Sequence, residues 1–426
     1  MHKKSTVTGL GLKVRNGRTY LRGVNLQKYD TPFFIYDWQC IAQKIRAVRE
    51  GLSDDIKLYY AIKANPNLGL LKRMLPLVDG VDVASGGELT RALKAGCCPS
   101  RISFAGPGKT EEELSLAVSR RIGSLSVESL TELVRIDRIA AAQKRKAAVS
   151  IRINPARPQR KFPVKMGGLA SPFGIDQEKW GGFFRLLEGM RRCRFVGIHV
   201  YSGTQCLDEA TLLDNAVSTL NIAEEVYAAT RLEIRSVNFG GGFGVPYYEG
   251  QSEIDVRRVC SGISSQFGRF KRKTGLSGCT GILELGRYLV AQAGIYVARI
   301  VDVKESRGKK FCVLDGGINH HLAASGRLGN FIRRNLRVVN ISCTGRIAAE
   351  RVTLVGPLCA SLDIIAEDLL LKKPQAGQYI AVLTSGAYTY TASPILFLSH
   401  ETPLELLVDG ARASVIRRSH AAGEFD

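Results

Sequence analysis

Lys63 follows the run Leu58-Tyr59-Tyr60-Ala61-Ile62 and precedes Ala64-Asn65-Pro66. Five apolar or aromatic residues closed by an Asn-Pro break read as a buried strand, with the lysine at its end. Lysine is seldom buried without a partner, so its position has two readings. One is a side chain that snorkels from the strand end into solvent. The other is a Schiff-base lysine, because desolvation disfavours the ammonium and frees the amine to attack an aldehyde.

Other residues carry matching chemistry. Asn238-Phe239-Gly240-Gly241-Gly242-Phe243-Gly244 is a glycine-rich turn after a strand, and such turns bring backbone amides close to an anion. A glycine turn alone is more often a tight bend, but Thr204 and Arg287 on the flanking strands are suited to bind a phosphate. Glu284, in Glu284-Leu285-Gly286-Arg287, has two readings: an ion pair with a neighbour such as Arg152, or a carboxylate that keeps a pyridine nitrogen protonated. Cys359 lies in Val355-Gly356-Pro357-Leu358-Cys359-Ala360-Ser361-Leu362-Asp363, after a strand and a Gly-Pro turn. Most cysteines are inert, so pattern alone gives it no catalytic role.

These residues need elements to hold them. Apolar, β-rich runs at 57–62, 80–84, 102–105, 124–127, 148–153, 196–200, 236–239 and 281–284 alternate with helical patterns. Such alternation implies parallel strands with right-handed crossovers, and eight units fit a closed (β/α)8 barrel better than an open sheet. The candidates then share one rim, at the C-terminal strand ends. Lys63 follows the first strand; Asp82 and Ser85 close the second; Arg152 and Asn154 close the fifth. His199 and Tyr201 end the sixth, the glycine turn follows the seventh, and Glu284 to Arg287 end the eighth. After about residue 290 the runs at 295–303, 311–314, 351–355, 378–383 and 404–408 are separated by turn residues, which predicts a mainly antiparallel β domain. Residues 10–26 are also β-like. The expected division is a β segment at 1–32 that joins the C-terminal domain, a barrel at 33–290 and the β domain at 291–426.

Bulk properties exclude some classes. The chain has 426 residues, 45% hydrophobic and 23% charged, as in ordinary globular proteins. No run is long and apolar enough for a membrane span, and no signal peptide is visible, so no membrane partner is expected. The ten cysteines show no framework spacing and read as reduced thiols in a cytoplasmic protein. Formal net charge is +21. Basic clusters at Arg191-Arg192-Cys193-Arg194, Arg269 to Lys273 and Arg333-Arg334 carry no nucleic-acid motif and no interleaved aromatics, so no nucleic acid is expected. An acidic protein partner or an anionic substrate suits this charge.

The chain resembles the pyridoxal-phosphate-dependent diaminopimelate, ornithine and arginine decarboxylases over nearly its whole length. The likeness is carried by Tyr60 to Asn65, Asp82-Val83-Ala84-Ser85-Gly86-Gly87-Glu88-Leu89, Gly240 to Gly244, Glu284 to Arg287, Asp315-Gly316-Gly317, Gly356 to Cys359 and Gly386-Ala387-Tyr388. It implies a (β/α)8 barrel with a C-terminal β domain, as in alanine racemase-like folds, and a homodimer with shared active sites. It implies pyridoxal 5'-phosphate linked to Lys63, with Glu284 on the pyridine nitrogen. Gly241, Gly242, Arg287 and Tyr388 would help hold the phosphate, within a site that also includes Asp82, Arg152 and His199. Cys359 from the other subunit would protonate the intermediate after carbon dioxide leaves.

Two departures stand out. Where the family usually has His-x-Gly-Ser, this chain has Tyr201-Ser202-Gly203-Thr204, which makes Tyr201 the ring that stacks on the cofactor and Thr204 a phosphate ligand. Where diaminopimelate decarboxylases usually have an acidic residue after the cysteine, this chain has Ala360. Ile198 to Gln205, Lys165 to Gly168 and Gly317-Ile318-Asn319-His320-His321 resemble a narrower branch, the exosortase-associated and butirosin-type decarboxylases, some of which act on a group tethered to an acyl-carrier protein. The expected activity is α-decarboxylation of an amino acid or a carrier-bound aminoacyl group. The alternatives are diaminopimelate decarboxylation and a catalytically silent regulatory homologue.

Overall fold

The first barrel strand shows how sequence becomes position. In Ile56–Ala61, Ile56, Leu58, Tyr60 and Ala61 are buried while Lys57 and Tyr59 are less enclosed, a near-alternation that a strand imposes. The chain then turns through a short 3-10 segment, Ile62–Ala64, and Lys63 sits in that turn. The computed structural model describes residues 6–7, 11–15, 18–157, 162–326, 334–343 and 348–421. Residues 1–5 and 8–10 of the expected opening segment, and Arg333 of one basic cluster, lie outside the described residues.

Eight parallel strands form the barrel: Ile56–Ala61, Gly80–Val83, Ile102–Phe104, Ser124–Val127, Ala147–Asn154, Cys193–Val200, Ser236–Asn238 and Thr280–Leu285. Each pairs with the next, the eighth pairs with the first, and pairing of Ser124–Val127 with Ala147–Asn154 closes the ring. Helices return the chain between strands, and their first turns are capped near the rim. Ser85, Thr110, Ser129, Asp208 and Asp255 each accept a hydrogen bond from a backbone amide of the helix that follows. Such a cap contributes about 1 kcal/mol and fixes where the loop ends and the helix begins.

The chain divides into two compact units. The barrel unit is Lys44–Val245 with Ser252–Tyr288, and the β unit is Met1–Gln43 with Pro246–Gln251 and Leu289–Asp426. At the centre of the β unit, Gly294–Ser306 runs antiparallel to Lys309–Leu314, Tyr379–Leu383 and Phe33–Asp37. Phe33–Asp37 runs parallel to Leu404–Asp409, and Lys309–Leu314 parallel to Ala349–Val355, so the unit is mostly rather than wholly antiparallel. Its core includes Phe33, Ile35, Ile295, Val297, Leu406 and Val408. The run Phe33-Phe34-Ile35-Tyr36-Asp37, which the sequence reading put at the start of the barrel, is buried along its full length by this pairing. Five consecutive buried residues look the same in either sheet, so local pattern does not assign it.

Barrel closure leaves little space between neighbouring backbones. Gly197 lies opposite Ser236, and a Cβ there would sit 2.1 Å from the Ser236 carbonyl oxygen. Gly197→Ala is expected to cost about 1–3 kcal/mol in denaturant unfolding, because the obstacle is backbone. Gly278→Ala, where nothing lies within 4 Å of the added carbon, serves as the control and should leave the midpoint unchanged.

Candidate active site

Strand parity brings a belt of charged and polar side chains into the barrel near its C-terminal rim. Asp82 ends the second strand and is fully enclosed, and the Lys63 amine donates to its Oδ2 at 3.1 Å. Ser103, its cross-strand neighbour on the third strand, donates to Asp82 Oδ1 at 3.0 Å. Burial, and next the nearby Glu284, push the Asp82 carboxyl above its ordinary range, while Lys63 pulls it back down. The lysine that ends the first strand therefore has a buried counter-charge, and its side chain remains about one-third exposed, at 34%.

Glu284 ends the eighth strand and is buried. Its Oε1 accepts a short hydrogen bond from the Asn238 side-chain amide. Its Oε2 lies 3.6 Å from His199 Nε2. His199 Nδ1 meets the Ser126 hydroxyl at 2.8 Å, while Nε2 is buried with no hydrogen-bond partner among the described residues. Burial first, and then Arg152, lower the His199 pKa to about 3, so the ring is neutral.

Arg152 does not pair with Glu284. Its guanidinium donates to Glu128 Oε1 at 2.8 Å, and both side chains are buried. The Tyr201 ring lies between two cations, with the Lys63 amine 5.6 Å and the Arg152 guanidinium carbon 5.9 Å from its centroid. Sequence reasoning missed Glu128 and Lys109. Lys109 is buried against Glu132 Oε1 at 2.6 Å and donates to the Ser126 carbonyl at 3.0 Å. The available signal was the position of Glu128 directly after the alternating strand Ser124–Val127.

The glycine turn is tight at the backbone level. Gly240 and Gly242 adopt φ of +64° and +92°, which favours glycine. A Cβ on Gly241 would come within 1.8 Å of the Glu284 carbonyl oxygen, and one on Gly242 within 2.5 Å of the Gly203 carbonyl. Thr204 lies on a short strand, Gly203–Thr204, paired antiparallel with Val164–Lys165. Arg287 opens the helical turn Arg287–Val290 directly after the eighth strand.

Two expected site residues belong to the β unit. Tyr388 is half-buried with φ of +55°. Cys359 is exposed, on a turn pinned by Asp363. The Asp363 carboxylate accepts from the Leu358 and Ile318 amides, each at 2.8 Å, and its own amide donates to Ala360. The Asn319-His320-His321 run is buried and internally bonded: His320 contacts the Glu401 carbonyl and His321 the Ser385 hydroxyl, each at 2.9 Å. It is a packing element of the β unit.

Against known proteins, residues 39–291, more than half of the chain, match the family described as pyridoxal-dependent decarboxylase, pyridoxal binding domain. The chain belongs to the pyridoxal-dependent decarboxylases. It is 35% identical to the L-glutamyl-[BtrI acyl-carrier protein] decarboxylase of Niallia circulans, with 94% of each chain covered. Identity to the diaminopimelate decarboxylase of Aquifex aeolicus is 30%, over 96% of this chain and 94% of that one. Among solved structures, the Helicobacter pylori diaminopimelate decarboxylase in complex with L-lysine superposes with a TM-score of 0.83 at 31% identity, covering 93% of this chain and 96% of the other. The M. jannaschii enzyme gives 0.88 at 26% identity, covering 97% and 96%. The barrel followed by a β domain is the architecture of these decarboxylases, and the chain is a pyridoxal-phosphate-dependent carboxy-lyase.

The residues present fit that cofactor. The orphaned His199 nitrogen beside Glu284, and a glycine cradle that even one methyl group would fill, both suit a polar ligand with an anionic end. Gly241→Ala should weaken pyridoxal phosphate binding by about a hundredfold or more, since displacing the Glu284 backbone by an ångström misplaces both ends of the site. Titration of visible absorbance against cofactor concentration measures it.

Proposed function

We propose that this decarboxylase acts on an aminoacyl group carried by an acidic acyl-carrier protein, releasing carbon dioxide and leaving a carrier-bound amine. The observation that carries the catalytic part is the Lys63–Asp82 pair at the end of the first strand, with Glu284 within hydrogen-bonding reach of the same Ser103 hydroxyl. Pyridoxal phosphate, when bound, supplies an electron sink for the carbon that loses its carboxylate. The remaining tasks fall to the chain itself.

Lys63 is the amine that would hold the cofactor, and Asp82 stabilises its charge when it is released. Glu284 would keep a proton on the pyridine nitrogen, a role suited to a carboxylate buried on a neutral histidine and an asparagine amide. The ring face of Tyr201 would pack on the cofactor. The Gly241 and Gly242 amides, with Thr204, Arg287 and Tyr388, would receive the phosphate. Cys359 would deliver a proton from its Sγ to the substrate carbon. A homodimer with shared sites is the proposed assembly, with Cys359 acting across it. All ten cysteines are free thiols, which supports a reducing, cytoplasmic setting.

Three observations support the tethered substrate over free diaminopimelate. Ala360 offers no carboxylate next to Cys359 to bind the far amino end of that substrate. Net charge of +21 steers an acidic carrier toward the enzyme. The relative that acts on a carrier-bound group is also the more similar of the two enzymes compared by sequence, at 35% against 30%.

Lys63→Ala should abolish both the visible absorbance of the loaded enzyme and turnover, measured by carbon dioxide release. Retained cofactor chemistry in that variant would refute the lysine assignment. Cys359→Ala should retain the absorbance and lose turnover by about a hundredfold or more, within the range for a positioned proton donor. Carrier-loaded aminoacyl groups should be consumed at low salt far faster than the free amino acids, and slow as ionic strength rises. Equal rates on free diaminopimelate would favour that substrate instead.

A further inference from the structure

Arg152 and His199 are direct cross-strand partners on the fifth and sixth barrel strands, and both side chains are buried. Two cations directly opposite one another on neighbouring strands repel, and in a dry interior the cost rises. One of the pair has to be neutral, and the surroundings decide which. Guanidinium stays charged at any pH a protein survives.

Its geometry is also fixed. Glu128, which binds it at 2.8 Å, is itself held by the Gly106 amide at 2.6 Å and the Gly174 amide at 3.1 Å. Arg152 is flanked by the Phe173 and Tyr201 rings, 5.0 and 5.9 Å from its guanidinium carbon. It cannot swing away to relieve the repulsion.

The other groups facing His199 do not reverse this. Ser126 on the fourth strand is uncharged and bonded to Nδ1. Asp82 on the second strand is paired with Lys63, and Glu128 with Arg152. Asn238, opposite His199 on the seventh strand, is neutral and bonded to Glu284. Glu284 on the eighth strand is the one anion whose carboxylate lacks a cation among the described residues, and it sits 3.6 Å from Nε2. An imidazolium at 199 would close on that oxygen and take up its charge.

We propose that Arg152, oriented by Glu128, is a positioning residue that keeps His199 neutral and so reserves the Glu284 carboxylate for the pyridine nitrogen. Tyr201 strengthens the arrangement, because a phenol in place of the family's usual histidine leaves His199 as the single imidazole of this belt. The inference rests on the placement of the cofactor at Glu284 proposed above. The Arg152–His199 coupling itself does not.

The test uses the unloaded full chain with its histidines labelled at the ring nitrogens. In the wild type, the His199 nitrogen shifts should stay those of a neutral ring between about pH 5 and about pH 8, the range in which an ordinary imidazole titrates. In Arg152→Gln the same signals should titrate inside that window, an upward shift of about two units or more from the wild-type value of about 3. Arg152→Lys retains the cation and should restore the silent ring, an outcome that a purely packing role for arginine would not give. A His199 that stays silent in Arg152→Gln, or titrates in the wild type, overturns the proposal.

A second arm titrates pyridoxal phosphate into each variant. Arg152→Gln should bind about tenfold more weakly at pH 5 than at pH 8, since a charged His199 competes for Glu284 at the lower value. Cofactor affinity in Arg152→Gln that does not change across the range would overturn the link to Glu284. Glu284→Gln separates the two claims. If that variant binds the cofactor as the wild type does, the placement at Glu284 fails while the His199 titration still decides the coupling.

Discussion

Charge neutrality inside the closed barrel is the constraint on which the rest depends. Asp82, Glu128, Glu132 and Glu284 are all buried near one end of the sheet, and burying any one unpaired would cost several kcal/mol. Lys63, Arg152 and Lys109 each stand against one of these carboxylates. Among the described residues Glu284 alone of the four faces no cation: it accepts from the Asn238 amide and lies beside the Ser103 hydroxyl and a neutral imidazole. The site is therefore a network in which three of the four buried carboxylates face a cation and Glu284 faces none among the described residues.

Such a network can be rigid only if the backbone beneath it is. The closed ring removes free sheet edges, and the helix caps at Ser85, Thr110, Ser129, Asp208 and Asp255 fix the loops that follow the strands. The β unit fixes the turn that carries Cys359 differently. There a single aspartate, Asp363, gathers the amides of Leu358 and Ile318, and glycines at 317 and 356 make room for its carboxylate. Both units use a buried carboxylate to shape a loop, once through ion pairs and once through backbone amides.

Much of this was legible in the sequence because the information was local. Several barrel strands are apolar runs that end on or beside a chemically distinctive residue, so Lys63, Asp82, His199 and Glu284 stood out from their immediate neighbours. What was not legible depends on who stands opposite whom. The partner of Arg152 is Glu128, one strand earlier in the ring, and nothing in either segment names the other. Phe33–Asp37 illustrates the same limit at the level of a whole strand, since its burial pattern fits any central position. The histidines at 320 and 321, read in the sequence only as part of a branch resemblance, are buried and hydrogen-bonded within the β unit.

The backbone obstacle at Gly241 has a consequence for how enzymes of this kind diversify. A side chain at 241 would meet a carbonyl of the neighbouring strand, and no exchange of a nearby side chain can remove a carbonyl. The glycine turn is thus closed to gradual variation. Variation within the barrel unit has to arise where the obstacles are side chains, at positions such as Tyr201, while the glycine turn stays as an inherited fixture.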